Sequence, residues 1–323
     1  MTCNLNRSED QRQILDAAAS MLDADFDVSR DLAADRDRMA KIAEFGAFSL
    51  ALDEQSGGAG FTLVEEALLH VQFGRHIIST HSIAAPIAAR LAAESELIDL
   101  VGDAVAGGVL CGGGGRLIDG ANARFALVFA PDRLQLIDIA KTTVVANNPG
   151  FGHFVPITDV AFDEDAIVAT SDSRHLLDIA ALLVSAQLLG IAEATRDLAV
   201  SYAGVRRQFG KPIGAFQAIK HHCANMAIGA EMLSAQLDMA AIALRDGRDD
   251  ATFQVAALRL LAPQVALENA RLCIQIHGGM GFSAEADAHR FLKQAHVLRL
   301  IGDAAPILDL ESPMAPYKPR LGG

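Results

Sequence analysis

Two segments carry side chains whose chemistry reaches beyond packing. Tyr202 to His222, YAGVRRQFGKPIGAFQAIKHH, holds adjacent Arg206 and Arg207, an amide at Gln208, an aromatic at Phe209, a turn-permitting Gly210 and a helix-stopping Pro212. Cations at a helix C-terminus are stabilised by its dipole, and a guanidinium fork matches a diphosphate. Taken by itself, such a cluster is more often a solvated helix end than a ligand site. The second segment, CIQIHGGMGF from Cys273 to Phe282, sets Gln275 just ahead of Gly278, Gly279 and Gly281. Those glycines let backbone approach a flat or charged ligand, although a lone glycine-rich break between helices is commonly structural.

Other groups carry less. His221, His222 and His277 have no Ser or Cys partner in a triad context and read as structural or rim residues. No HxxxH, carboxylate cluster or cysteine pair argues for a metal. The run CGGGGR, Cys111 to Arg116, lacks the Gly-Lys-Ser/Thr ending of a phosphate loop and reads as a flexible connection. Gly57, Gly58 and Gly60 mark a tight connection.

The elements that must position the two segments follow from periodicity. Residues 8–101 read as mostly helical, opening on a capping box at Ser8 and Gln11 with Ile14, Ala17 and Leu22 at helical spacing. From Gly102 to about Thr170 the runs ARFALVFA, RLQLIDI, KTTVVAN and VPITDVAFD predict a small antiparallel sheet or barrel. Beyond it, helices are expected over Leu176–Val205, Phe216–Arg245, Asp250–Ile276, with a kink or restart at Pro263, and Glu285–Leu300. Short connections between long helices predict an antiparallel four-helix bundle. The fold class is α+β, mostly α, divided into 1–101, 102–170 and 171–323.

Composition limits the partners. The 323 residues are 51% hydrophobic and 21% charged, with a net charge of -13. That balance excludes a wholly disordered chain and argues against nucleic acid or an anionic membrane as a partner. Four scattered cysteines, a polar N-terminus and the interruption of the most apolar stretch by Ser185, Gln187, Glu193 and Arg196 predict a soluble, cytoplasmic protein with no membrane span.

Taken together and in order, RxQFGKPI followed by FQ, then QxHGGxGF at helical-bundle spacing, and SLALDEQSGGAG near the N-terminus, resemble the signatures of the acyl-CoA dehydrogenase family over nearly the whole chain. The resemblance implies an N-terminal helical domain, a middle β domain and a C-terminal four-helix bundle. It also implies FAD as cofactor, an acyl-CoA substrate, and electron-transfer flavoprotein as acceptor. Arg206 and Gln208 would hold the pyrophosphate and adenine side of FAD, with Phe209 in the same motif. Gln275, Gly278 and Gly279 would reach the FAD of a dimer mate.

The departures from that family bear on catalysis. The middle region has no Thr-Glu-Pro or Gly-Ser-Asp stretch and is about half the usual size. Counting from Arg290, Lys293 and Ala295, the family's catalytic glutamate falls on Gly302, and its following threonine on Ala304. An alternative family position, 26 residues before Arg206, is Ala180. Asp303 and Asp178 lie one and two residues away from these positions, and Asp303 is the candidate base within this chain. The resemblance therefore implies a subunit similar to those of heteromeric members acting on steroid side chains, with the base on a homologous glutamate-bearing partner. A self-sufficient homodimer or homotetramer using Asp303, and a non-catalytic acyl-CoA or flavin binding protein, are the alternatives.

Overall fold

The computed structural model describes residues 8–26, 36–118, 123–130, 132–148 and 156–303. Helix α1 (Glu9–Asp25) starts at the expected capping box, where Gln11 N–H donates to Ser8 Oγ (3.2 Å) and Ser8 N–H to Gln11 Oε1 (2.9 Å). The Gln11 amide then donates to Glu65 Oε1 (2.6 Å), itself part of the capping box of α3 (Leu63–Arg75) with Thr62. Burial pushes the Glu65 carboxyl up, but hydrogen bonds from Gln11 and Thr62 outweigh it and hold it below the usual range. Helix α2 (Arg36–Glu44) precedes a glycine-rich turn in which Gly57 and Gly60 have φ of +80° and +68°, and a β-carbon on Gly58 would meet the Leu52 carbonyl oxygen at 2.0 Å. The turn therefore requires glycine, as its composition predicts.

Helices α4 (His81–Glu94) and α5 (Ile98–Val105) complete the N-terminal part. Arg90 of α4 is buried against Glu66 of α3. Its Nη1 donates to Glu66 Oε1 (3.0 Å) and the Pro86 carbonyl (3.1 Å), and its Nη2 to Glu66 Oε2 (2.6 Å) and the Ala51 carbonyl (3.1 Å). One guanidinium thus joins two helices and the loop before the glycine turn.

Seven strands follow: β1 (Val109–Gly113), β2 (Arg116–Ile118), β3 (Phe125–Phe129), β4 (Leu134–Asp138), β5 (Thr143–Asn148), β6 (Ile157–Ala161) and β7 (Ile167–Ser171). Their order is β5-β6-β2-β1-β3-β4-β7, and β1 and β3 are parallel. The sheet is therefore mixed, where the sequence suggests a purely antiparallel one. The β1–β2 hairpin carries the chain to one side of β1, and β3 re-enters on the other side in the direction of β1. The run CGGGGR is part of that hairpin and not a flexible connection. Gly114 and Gly115, at φ +58° and +75°, form its two-residue turn, a conformation that suits glycine. Both faces of β3 are buried. Ala126 and Val128 pack with Leu110, Leu117 and Ile137, while Phe125, Leu127 and Phe129 face the helices. This is why its sequence is apolar without alternation.

The C-terminal helices are α6 (Arg174–Val205), α7 (Gln217–Arg245), α8 (Ala251–His277) and α9 (Ala288–Asp303). Pro263 lies inside a continuous α8. Burial of Leu258, Ala262, Ala266 and Ala270 around it holds the helix together despite the missing N–H, so no restart occurs. By length and hydropathy alone α6 and α7 are long and apolar enough to cross a membrane. The interruptions at Ser185, Gln187, Glu193 and Arg196 do not remove α6 from that class. Its apolar character is explained by its position, since its most apolar stretch is almost wholly buried among its neighbouring helices, while Val200 and Val205 near its end are exposed. Asn269 of α8, itself buried, donates to the carbonyls of Ala192 (3.0 Å) and Met226 (3.1 Å), joining α6, α7 and α8.

Arg90→Leu leaves the Glu66 carboxylate buried without its partner, and we expect a loss of about 3–5 kcal/mol of stability. The double replacement Arg90→Leu/Glu66→Leu should recover most of it. Urea unfolding of the three variants measures both, and a single-variant loss under about 1 kcal/mol would show that the pair does not hold α3 to α4.

Candidate cofactor site

Helix α6 delivers the first motif. It stops at Val205, and Arg206 caps it in extended conformation with its N–H on the Tyr202 carbonyl (2.9 Å). The chain then makes a two-residue hairpin in which Arg207 pairs with Pro212 and Gln208 with Lys211, closed by Ile213 N–H on the Arg206 carbonyl (2.8 Å). The turn residues Phe209 and Gly210 have φ of +50° and +79°, the conformation that a right-twisted two-residue hairpin demands. A phenylalanine held at positive φ and 90% exposed is costly to maintain, and it lies at the tip of the hairpin. Its ring meets Phe216 edge-on at 6.2 Å, and the Lys211 ammonium sits 4.4 Å above the same Phe216 ring.

The two arginines differ in what they already do. Arg207 Nη2 donates to the Gly210 carbonyl (3.2 Å) and so stabilises the hairpin turn. The side chains of Arg206 and Gln208 are exposed and make no hydrogen bond or ion pair with the described residues. Their donors are available to a ligand.

Helix α8 delivers the second motif to the same end of the bundle. It ends at His277, followed by Gly278 at φ +61° and ψ -138°, backbone that is essentially restricted to glycine. A short 3₁₀ turn, Gly278–Phe282, leads toward α9. A β-carbon on Gly281 would meet the Ile274 carbonyl at 2.6 Å, whereas one on Gly278 or Gly279 would meet nothing within 4 Å. Gly281 therefore serves packing, and Gly278 and Gly279 leave backbone open to a ligand beside the exposed Gln275.

Tyr202 joins the two motifs. Its ring stacks on His277 with centroids 4.2 Å apart, and His277 Nδ1 donates to the Cys273 carbonyl (2.8 Å). Ala199, Ala203, Met226, Cys273, Ile274 and Ala288 pack around this contact. His277 is thus structural, as its sequence context suggests. Burial, with the neighbouring Cys223 adding to it, pushes the Cys273 thiol up to about 12, so it is no nucleophile. The role of Tyr202 was not legible in sequence, because its partner lies 75 positions away on another helix.

The positions considered for a catalytic base fall elsewhere. Asp178 is buried, bonded to Arg174 Nε (3.0 Å) and to Thr252 Oγ1 (2.8 Å). It joins the start of α6 to the start of α8 and is spent on structure. Ala180 is also buried. Gly302 and Asp303 form the last turn of α9, while the Asp303 side chain and Ala304 lie outside the described residues.

A guanidinium, two amides and open glycine backbone at one end of the bundle form a donor set suited to a diphosphate-bearing cofactor. Residues 8–103 match the acyl-CoA dehydrogenase N-terminal domain and residues 172–302 its C-terminal domain. The acyl-CoA dehydrogenase FadE34 of Mycobacterium tuberculosis is 32% identical over 279 residues, covering 80% of this chain and 39% of FadE34. This chain therefore spans well under half of that relative's length. IpdE2 of the same organism, also an acyl-CoA dehydrogenase, is 31% identical over 268 residues, covering 78% of each protein. The ChsE4–ChsE5 complex from Mycobacterium tuberculosis shares the fold, with a TM-score of 0.77 at 23% identity over 94% of this chain and 96% of that one. Helical N-terminal part, central sheet and C-terminal bundle, two matched domains and a relative of similar length together make this chain a member of the acyl-CoA dehydrogenase family, whose cofactor is FAD.

Proposed function

We propose that this chain is the subunit without a base in a heteromeric FAD-dependent acyl-CoA dehydrogenase. The observation that carries this reading is a contrast within one chain. The FAD-contact side chains Arg206, Gln208 and Gln275 are exposed with their donors unspent, whereas both family positions for the base, Gly302 and Ala180, carry no carboxylate. The nearest described acid, Asp178, is consumed by Arg174 and Thr252.

In this reading Arg206 and Gln208 bind the pyrophosphate and adenine side of FAD, and Phe209 lies beside them at the hairpin tip. Gln275, Gly278 and Gly279 reach across to the FAD of the partner subunit. When bound, FAD supplies the acceptor for hydride from the β-carbon of the acyl thioester. A carboxylate of a homologous partner removes the pro-R α-proton, giving a trans-2-enoyl-CoA, and electron-transfer flavoprotein receives the electrons. The existence of ChsE4–ChsE5 as a complex of two different chains supports a partnered assembly. The acyl group we assign is a steroid side chain, and the compartment a reducing cytoplasm. A second reading rests on the position of Asp303, which ends α9 directly after Gly302. Adjacent helical residues differ by about 100°, so Asp303 would act only if the local backbone shifts.

Expressed alone, the chain should bind FAD weakly and below one per chain, because several contacts to the flavin are missing and each hydrogen bond contributes about 1 kcal/mol. Flavin absorbance against protein concentration measures this, and one tightly held FAD per chain overturns the helper-subunit reading.

In the assembled complex, Arg206→Ala should weaken FAD binding about tenfold or more, since hydrogen bonds to charged groups contribute about 1.5–3 kcal/mol. Arg207→Ala should weaken it less, because Arg207 serves the hairpin turn. Arg206→Lys should restore only part of the affinity, having lost the planar fork. An FAD titration in which Arg206→Lys equals wild type contradicts the fork.

Asp303→Asn should retain most dehydrogenation activity in complex with a glutamate-bearing partner, assayed at saturating FAD with an artificial electron acceptor. A fall of about a thousandfold in kcat, with assembly and flavin content unchanged, assigns the base to Asp303 instead.

A further inference from the structure

Each motif of the candidate cofactor site is seated closely on its own helix. A β-carbon on Gly214 would meet the Ala203 carbonyl oxygen at 3.0 Å, so the exit of the hairpin lies directly on the end of α6. A β-carbon on Gly281 would meet the Ile274 carbonyl oxygen at 2.6 Å and the His277 β-carbon at 3.1 Å, so the 3₁₀ turn lies directly on the end of α8. The offset between Arg206 and Gln208 on one side and Gln275, Gly278 and Gly279 on the other is therefore set by how the ends of α6 and α8 meet.

Tyr202 touches both motifs. Its carbonyl accepts from Arg206 N–H (2.9 Å), and the Arg206 carbonyl in turn accepts from Ile213 N–H (2.8 Å), which closes the hairpin that holds Gln208. Its ring stacks on His277, with centroids 4.2 Å apart and planes 22° from parallel, and His277 directly precedes Gly278. The His277 ring is itself held, because its Nδ1 donates to the Cys273 carbonyl one turn back (2.8 Å). Tyr202 thus meets a plane already fixed to α8. The phenol hydroxyl makes no hydrogen bond with a described residue, so the contact belongs to the ring. Ala199, Ala203, Met226 and Ile274 pack around it, but aliphatic contacts fill space without preferring an orientation, whereas an aromatic pair has a preferred one. Asn269, which also ties α8 to α6, lies eight residues back along α8, about 12 Å away.

We propose that Tyr202 is a positioning residue for FAD: its ring, held on His277, sets the spacing between the two donor sets without touching the cofactor. The proposal rests on the family reading in taking FAD as the ligand, and adds that cofactor affinity depends on an aromatic pair outside the contact set. Donors already at the right spacing need no ordering when the ligand arrives, and a loosened spacing makes that ordering oppose binding again.

The test is an FAD titration of the assembled complex carrying Tyr202→Leu, Tyr202→Phe or His277→Leu, with Arg206→Ala alongside. Tyr202→Leu and His277→Leu should each weaken FAD binding about fivefold or more, and Tyr202→Phe should stay within about twofold of wild type. For these three variants kcat at saturating FAD should match wild type, a readout that separates positioning from misfolding, since a misfolded fraction stays inactive however much FAD is added. Wild-type affinity in both leucine variants overturns the proposal, as does a kcat that falls together with the affinity. Equal losses in Tyr202→Phe and Tyr202→Leu put the hydroxyl on the cofactor, make Tyr202 a binding residue and overturn it too. If neither leucine variant assembles, the stack is a folding contact and the proposal fails. A loss in Arg206→Ala without one in the leucine variants removes the positioning role alone, whereas no loss in any variant, Arg206→Ala included, removes the FAD reading of this site as well.

Discussion

A β-carbon on Gly74 would lie 2.0 Å from the carbonyl oxygen of Gln187, and one on Gly190 the same distance from that of Val71. At these two residues α3 and α6 touch backbone to backbone. That approach lets α6, 32 residues long, run through the interior with α3 on one side and the other C-terminal helices around it. Any side chain at either glycine would force the helices apart, and in a close-packed interior neighbouring layers would have to move with them. Arg206 follows the last residue of the same helix.

With most of α6 buried, the fold must satisfy polar groups in a dry interior. Asn269 does so by bonding two helix carbonyls, and Asp178 by bonding Arg174 and Thr252. Glu66 and Arg90 satisfy each other in a bidentate pair that also reaches the Ala51 carbonyl. The net contribution of the charged pairs to stability is small, because removing two charges from water offsets most of their attraction. His70 Nε2 and Gln187 Oε1 depart from the pattern, as does His289 Nδ1, for their bonding is incomplete.

At the end of α6 where the two motifs meet, the polar groups are left to solvent. Tyr202 on His277, together with the packed alanines and Met226 around them, brings the ends of α6 and α8 into one rigid unit. Arg206, Gln208, Phe209, Gln275, Gly278 and Gly279 remain exposed on it. The exposed donors are hydrated, whereas an exposed phenylalanine held at positive φ carries a backbone cost with no burial to offset it.

Much of this was legible in the sequence. The Ser8 capping box, the glycine turn at residues 57–60, and the four C-terminal helices are local, being set by backbone propensity and by apolar residues recurring every three or four positions. The QFGKPI and HGGMGF motifs are also local, and they were enough to carry the resemblance to the family that the two matched domains show. The parallel pairing of β1 with β3, the unbroken α8 through Pro263 and the spending of Asp178 on Thr252 were decided by tertiary structure. So was the difference between Arg206 and Arg207, adjacent in sequence and alike in chemistry, of which only Arg207 has its side chain bonded to the hairpin. In each case the deciding partner is distant in the chain or lies across a turn whose shape depends on packing, and one-dimensional periodicity holds no record of it.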